Sequence, residues 1–333
     1  MLIFTSKLST FLLVFLLATT FQRSVSSDNG QVVCNEKDRR TLLKFKQGVI
    51  DPYDRLSWSN DEDCCAWNGV QCDNITGRVT NLDLRPYGKG YLQGELNLCL
   101  LQLEFLNSLD KSLHTLDVSR SGISFNDDKF WSMVAGINGT LDMSMNSISG
   151  DISNVTFKCN RIYLDHNNFT GGLPNLSPDV LQFNTVDFSY NSFSGSIPHG
   201  WANVKDMWYI NLWSNKLSGE VPRNFSALIQ LGFLNLGKNQ FSGTIPIIMS
   251  QKLQVMVLRF NQFEGNIPPQ IFNLSSLYHL DLANNKLSGS MPHCIYNMTQ
   301  MIIYNIGFGE GMTSRVDLFT KGQRHLQLEI DIR

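Results

Sequence analysis

From residue 140 onward, apolar and polar residues recur with a fixed phase. The unit reads L-x-L-x-x-N-x-F/L-S-G-x-I-P, as in Leu212–Pro222 (LWSNKLSGEVP) and Leu282–Pro292 (LANNKLSGSMP). Asparagines stand at Asn146, Asn167, Asn191, Asn215, Asn239, Asn261 and Asn285, at spacings of 21, 24, 24, 24, 22 and 24. A glycine follows each by four residues, from Gly150 to Gly289, and prolines hold the same phase from Pro174 to Pro292. In L-x-L the two apolar residues point to one face of a short strand and x to the other.

Each position has a physical reason. The asparagine side chain can bond to backbone groups where the chain leaves the strand. Glycine permits a tight turn that a Cβ would obstruct. Proline fixes φ and cannot donate to a ladder, which suits an irregular return path. One unit cannot bury its leucines alone, so stacked units must share a continuous core. The expected fold is an α/β repeat: a right-handed solenoid with a parallel sheet on its concave side. Earlier strands at Leu82–Leu84 (LDL) and Leu116–Val118 (LDV) lack the asparagine and bring the count to nine units. Between Leu113 and Thr140 the pattern is degraded, with Trp131 and Met133 where a return arm would run.

The first residues carry a different pattern. Lys7, the apolar run Phe11–Ala18 and small residues Ser24, Ser26 and Ser27 read as a signal peptide over 1–27. The apolar run is too short to span a bilayer well, so a membrane anchor is the weaker alternative. Export gives the 7 cysteines a meaning. Cys34, Cys64, Cys65 and Cys72 cluster, and an oxidising compartment favours two disulfides among them. Four cysteines allow three pairings. Adjacent Cys64 and Cys65 cannot easily bridge each other. Cys34–Cys64 with Cys65–Cys72 is favoured, the second closing a small loop around Trp67, Gly69 and Val70. Cys99, Cys159 and Cys294 fall in different repeats and are expected as buried free thiols. Eight sequons, at Asn74, Asn138, Asn154, Asn168, Asn175, Asn224, Asn273 and Asn297, point to a glycoprotein. A net charge of −2 offers nothing to a polyanion such as nucleic acid.

These repeat residues resemble the plant extracellular leucine-rich-repeat family. A helical stretch over Glu36–Val49 carries Leu42, Leu43, Phe45 and Val49 on its apolar face. Leu56, Trp58 and Cys64-Cys65-x-Trp67-x-Gly69-Val70-x-Cys72 follow it. This looks like the disulfide-stapled N-terminal cap of plant receptor-like proteins and receptor kinases. The expected organisation is a cap over 28–77 and nine to ten leucine-rich repeats over 78–305. A non-repeat tail follows over 306–333, whose Phe319-Thr320-Lys321-Gly322-Gln323 resembles the start of an island segment. In disease-resistance receptor-like proteins, further repeats, a transmembrane helix and a short tail would follow. By that resemblance the chain reads as truncated before its last repeats.

The x positions give four columns on the concave sheet. Six before the asparagine the column runs Thr140, Arg161, Thr185, Tyr209, Phe233, Val255, His279. Four before it stand Asp142, Tyr163, Asp187, Asn211, Asn235, Val257, Asp281. Two before it stand Ser144, Asp165, Ser189, Trp213, Gly237, Arg259, Ala283. One before it stand Met145, His166, Tyr190, Ser214, Lys238, Phe260, Asn284. Tyr163, Tyr190, Tyr209, Trp213, Phe233, Arg259 and Phe260 are the candidate ligand-binding residues, because exposed aromatics and arginine anchor recognition surfaces. Cross-strand stacking that only stiffens the sheet is the bland alternative. No sequon falls in these columns.

Catalytic signatures are missing. The sequence has no G-x-S-x-G elbow, H-E-x-x-H pair, P-loop or kinase signature. The cysteine spacing is that of the plant cap rather than of zinc ligands. The expectation is a non-enzyme without cofactor or metal. It would recognise a protein, peptide or oligosaccharide outside the cell, in defence or development. The resemblance implies signalling through a receptor-kinase co-receptor and a plasma-membrane location, or the apoplast if the chain is complete. A soluble inhibitor of microbial wall-degrading glycosidases, similar to polygalacturonase-inhibiting proteins, is the second expectation.

Overall fold

The computed structural model describes residues 32–85, 92, 94–95, 114–124, 130–131, 134, 137–179 and 183–289, with backbone strands at 314–320 and 323–330. The signal peptide, Cys99, Cys294, Asn297 and residues 306–313, 321–322 and 331–333 of the tail lie outside these residues.

Helix α1 (Glu36–Gly48) opens the fold. Asn35 caps it by accepting from the Lys37 and Asp38 amides, which satisfies donors the first turn leaves free. Leu42 and Phe45 are fully buried. The Asp38 carboxylate, also buried, accepts from the Val79 amide at 3.2 Å and so ties the helix to the first repeat. Trp58 stacks on Trp67 with centroids 5.3 Å apart. Cys34 is bonded to Cys64 and Cys65 to Cys72, each with Cα atoms 5.5 Å apart.

Ten strands form one sheet. They are β1 (Val70–Cys72), β2 (Val79–Asp83), β3 (Thr115–Asp117), β4 (Thr140–Asp142) and β5 (Arg161–Tyr163). β6 (Thr185–Asp187), β7 (Tyr209–Asn211), β8 (Phe233–Asn235), β9 (Val255–Val257) and β10 (His279–Asp281) complete it. β1 pairs antiparallel with β2, and every later pairing is parallel. The register carries no slip from β4 to β10, so Tyr163, Asp187, Asn211 and Asn235 stand side by side.

From β3 to β9 the middle residue of each strand points inward. Leu141, Ile162, Val186, Ile210, Leu234 and Met256 have no exposure. A second layer runs behind them. Phe169 stacks on Phe193, with centroids 5.7 Å apart, and Phe241 on Phe263, at 6.3 Å. Where the repeat is degraded, Trp131 still enters the core, edge-on to Phe157 and Phe169. Trp201 is fully buried and donates its indole N–H to the Pro174 carbonyl at 3.0 Å.

The asparagines bind neighbouring repeats together. Asn191 donates to the Leu164 carbonyl of the previous repeat at 2.9 Å, and its Oδ1 accepts from the Phe169 amide at 3.1 Å. Asn215, Asn239, Asn261 and Asn285 repeat both bonds one unit further on. Four residues on, the glycines from Gly171 to Gly289 have φ between 75° and 83°, the left-handed region where a Cβ is costly.

Candidate ligand-recognition surface

The concave face is built from the strand residues that alternate with the buried ones. On β7 the order Tyr209-Ile210-Asn211 buries Ile210 and turns its neighbours outward. The column at the third strand position has a structural duty as well. Asp142, Asp187, Asn211, Asn235 and Asp281 each accept from the amide two residues on, at 3.0–3.2 Å. These Asx turns end the strand. Beyond them, Met145, His166, Tyr190, Ser214, Lys238, Phe260 and Asn284 all take φ between 51° and 58°. The last column is therefore a row of left-handed residues just before the asparagine. It is a bend common to the described repeats from Arg120 to Asn284, occupied by side chains of every kind.

The predicted aromatics do not form one cluster. Tyr209 and Phe233 stack face to face, centroids 4.4 Å apart and planes 9° apart. Trp213 lies toward the next repeat, across Gly237. Tyr163 stands two strands before Tyr209, between Asp142 and Asp187. Tyr190 stacks instead on His166, at 4.2 Å. Phe260 lies under the Arg259 guanidinium at 4.6 Å, a cation–π contact. Tyr190 and Phe260 sit on the left-handed bends three repeats apart, roughly 14 Å at about 4.8 Å per strand, and neither belongs to the Tyr209–Phe233 stack.

Charge is divided along the face. Asp83, Asp117 and Asp142 occupy one column on β2–β4. Arg85 bridges the first two, at 3.0 Å from Asp117. Burial pushes the carboxyls of Asp117, Asp142 and Asp165 above the usual range, and neighbouring aspartates add to the effect. His166 holds Asp165 at 2.9 Å. Asp187 accepts from the Tyr209 hydroxyl at 3.2 Å and the Asn211 amide at 2.9 Å. Burial, then Asp187, pushes the Tyr209 hydroxyl upward, so it stays a neutral donor. Further along, Arg259 is paired with Asp281 at 3.1 Å.

Trp208 escapes a reading confined to the strand and its exit. It precedes β7, is 45% exposed and lies across Gly232. The available signal was the phase: 24 residues after each of Trp208 and Trp213 comes a glycine.

The described sequons Asn74, Asn138, Asn154, Asn168, Asn175, Asn224 and Asn273 are all exposed, and none lies on a strand of the ten-stranded sheet. The sulfurs of Cys34, Cys64, Cys65 and Cys72 lie within 4.8 Å of one another, as a metal site would need. They are joined in pairs as disulfides, which removes the thiolates a metal binds. Among the described residues no helix is long and apolar enough to cross a membrane.

Comparison with known proteins agrees with this architecture. The family model described as Leucine rich repeat N-terminal domain matches residues 35–73, and that described as Leucine Rich Repeat matches 252–274 and 276–298. Receptor-like protein EIX2 of Solanum lycopersicum is 39% identical over 115 residues, 32% of this chain and 11% of that protein. Polygalacturonase inhibitor of Pyrus communis is 35% identical over 104 residues, 31% of this chain and 29% of the inhibitor. The chain thus aligns with a minor part of each relative. Among solved structures, the ectodomain of the Arabidopsis receptor kinase HAESA, in complex with an IDA peptide hormone ligand, superposes with a TM-score of 0.63. It is 28% identical, over 80% of this chain and 44% of HAESA's. With its disulfide-stapled cap, its stacked repeats and these relatives, the chain has the leucine-rich-repeat fold and is similar to plant receptor-like proteins.

Proposed function

We propose that this chain recognises an extracellular ligand through its concave face, as part of a plant receptor-like protein in defence or developmental signalling. One observation carries the reading. The face presents Tyr209, Trp213 and Phe233 in the middle of a rigid sheet, and the exposed sequons stand elsewhere. Aromatic anchors on a rigid scaffold lose little entropy on binding. Similarity to EIX2 and to a peptide-bound receptor ectodomain supports the same reading. The cap would span 28–77, the repeats 78–305. By similarity to receptor-like proteins, signalling would pass through a partner receptor kinase at the plasma membrane. Binding without catalysis is the proposed role, and no cofactor is needed for it.

The test places a glycan on either side of the solenoid. Trp213→Thr creates a sequon at Asn211, inside the concave face. Lys216→Asn creates one on the outer strand Lys216–Glu220. Retention of an apoplastic partner by the secreted protein should be lost in the first and kept in the second. Equal retention would overturn the reading.

A second reading follows from the polygalacturonase inhibitor, of which this chain matches a larger share than of EIX2. Inhibition of a fungal polygalacturonase by the purified chain would favour it. No inhibition at saturating protein would remove it.

A further inference from the structure

Two tryptophans bracket β7, and two glycines bracket β8 at the same positions: Trp208 and Trp213, then Gly232 and Gly237. A Cβ on Gly237 would stand 2.5 Å from Trp213 Cε3 and closer still to Cζ3. A Cβ on Gly232 would stand 2.6 Å from Trp208 Cε2 and closer still to Nε1. Neither glycine is among the residues of positive φ. Their backbones therefore do not require glycine. The indoles do, because each fills the space where the next repeat's side chain would stand, and a close-packed surface cannot hold both.

The surface so made differs from the rest of the face. Over β7–β9 the outward residues are Tyr209, Trp213, Phe233 and Val255, with Val257 buried and the amides of Asn211 and Asn235 between them. Arg259, beside them, is balanced by Asp281. On β4–β6 the same columns carry Asp142, Asp165 and Asp187.

We propose that Gly232 and Gly237 are specificity-determining residues: by seating Trp208 and Trp213 on the next repeat they create an uncharged, apolar deck over β7–β9 that takes an apolar, uncharged stretch of an extended polypeptide. The proposal rests on the concave face being the recognition surface. Charge selects the occupant. An acidic segment would meet Asp187 at the edge of the deck. A basic one would meet Lys238, which follows Gly237, and Arg259 at the opposite edge. The deck is open along three strands, which suits an extended chain laid across them rather than an enclosed small molecule.

A double-mutant cycle tests the seating without a ligand. Gly237→Ala should lower the unfolding midpoint of the secreted chain. In a Trp213→Ala background most of that penalty should vanish, because the new methyl enters vacated space and keeps only a 3.2 Å approach to the Arg259 carbonyl. A penalty undiminished without Trp213 overturns the seating. A random-peptide display library tests the occupant. The wild type should enrich aliphatic and aromatic sequences, and Gly232→Ala and Gly237→Ala should bind them about tenfold more weakly. Charged sequences, or apolar ones bound equally by all three proteins, overturn the proposal. Peptides that bind but survive the Tyr209→Ala/Phe233→Ala change would show instead that the concave-face reading itself has failed.

Discussion

The side chain of Asn215 donates to the backbone carbonyl of Phe188, one repeat earlier, at 2.9 Å. The same amide oxygen accepts from the Phe193 N–H at 3.0 Å. One residue therefore satisfies two backbone groups that its neighbour cannot satisfy alone, and the stack becomes more than a hydrophobic contact. Asn215→Ala leaves both without a partner inside the turn. The expected cost is about 2–6 kcal/mol, read from urea unfolding, since each of the two unsatisfied groups costs about 1–3 kcal/mol. A change within about 0.5 kcal/mol would show that these bonds are dispensable.

The cap cysteines close loops of different length, with sequence separations of 30 and 7. Chain entropy makes the longer closure worth more. Replacing Cys34 and Cys64 by serine should cost about 3–4 kcal/mol, and replacing Cys65 and Cys72 about 2–3 kcal/mol. Hydrogen exchange at the Val79–Asp83 amides, compared between the two variants, checks the order. The reverse order would mean that the cap's packing, rather than loop closure, dominates.

The buried aspartates give stability a pH dependence of known sign. Asp117, Asp142 and Asp165 titrate above the usual carboxylate range, chiefly through burial. Their folded pKa exceeds the unfolded value of about 3.9. Their contribution is thus fully present below that value and is lost as pH rises through the folded pKa. Glu36 works oppositely: hydrogen bonds from Arg39 and then Arg40 lower it to about 2, so its contribution fades only in strong acid. Asp142→Asn keeps the acceptor for Ser144 and removes the charge. It should raise the unfolding midpoint at about pH 7 more than at about pH 4, as calorimetry would show. An equal shift at both would contradict the assignment.

Cys159 is fully buried, and burial pushes its thiol up to about 12. The thiolate is the reactive form. Native protein should therefore leave Cys159 unlabelled by iodoacetamide, and urea should expose it, as peptide mass mapping will report. Fast native labelling would mean the repeat around Cys159 opens readily.

Much of this architecture can be read directly from the residues. A buried asparagine at fixed phase, a glycine four residues on and an L-x-L strand each leave a chemical mark, so the strands and four columns follow. The left-handed bend leaves no such mark. Met145, His166, Tyr190, Lys238 and Phe260 share a backbone angle and no chemistry, and only their place before the asparagine betrays it. Tyr190 and Phe260 stand on that bend, apart from the Tyr209–Phe233 stack. Trp208 was hidden because it stands outside the strand, and Gly237 because a glycine in a binding column looks like an absence. Its role depends on Trp213, 24 residues earlier, a relation between repeats rather than within one.

The central claim is that the Tyr209–Trp213–Phe233 group is the binding surface. Its most direct test is the affinity of the Tyr209→Ala/Trp213→Ala/Phe233→Ala protein for an apoplastic partner retained by the wild type, alongside its secreted yield. The account predicts unchanged secretion and binding weakened at least about a hundredfold, as expected when clustered hot spots are lost. Unchanged affinity in a protein secreted normally would contradict it.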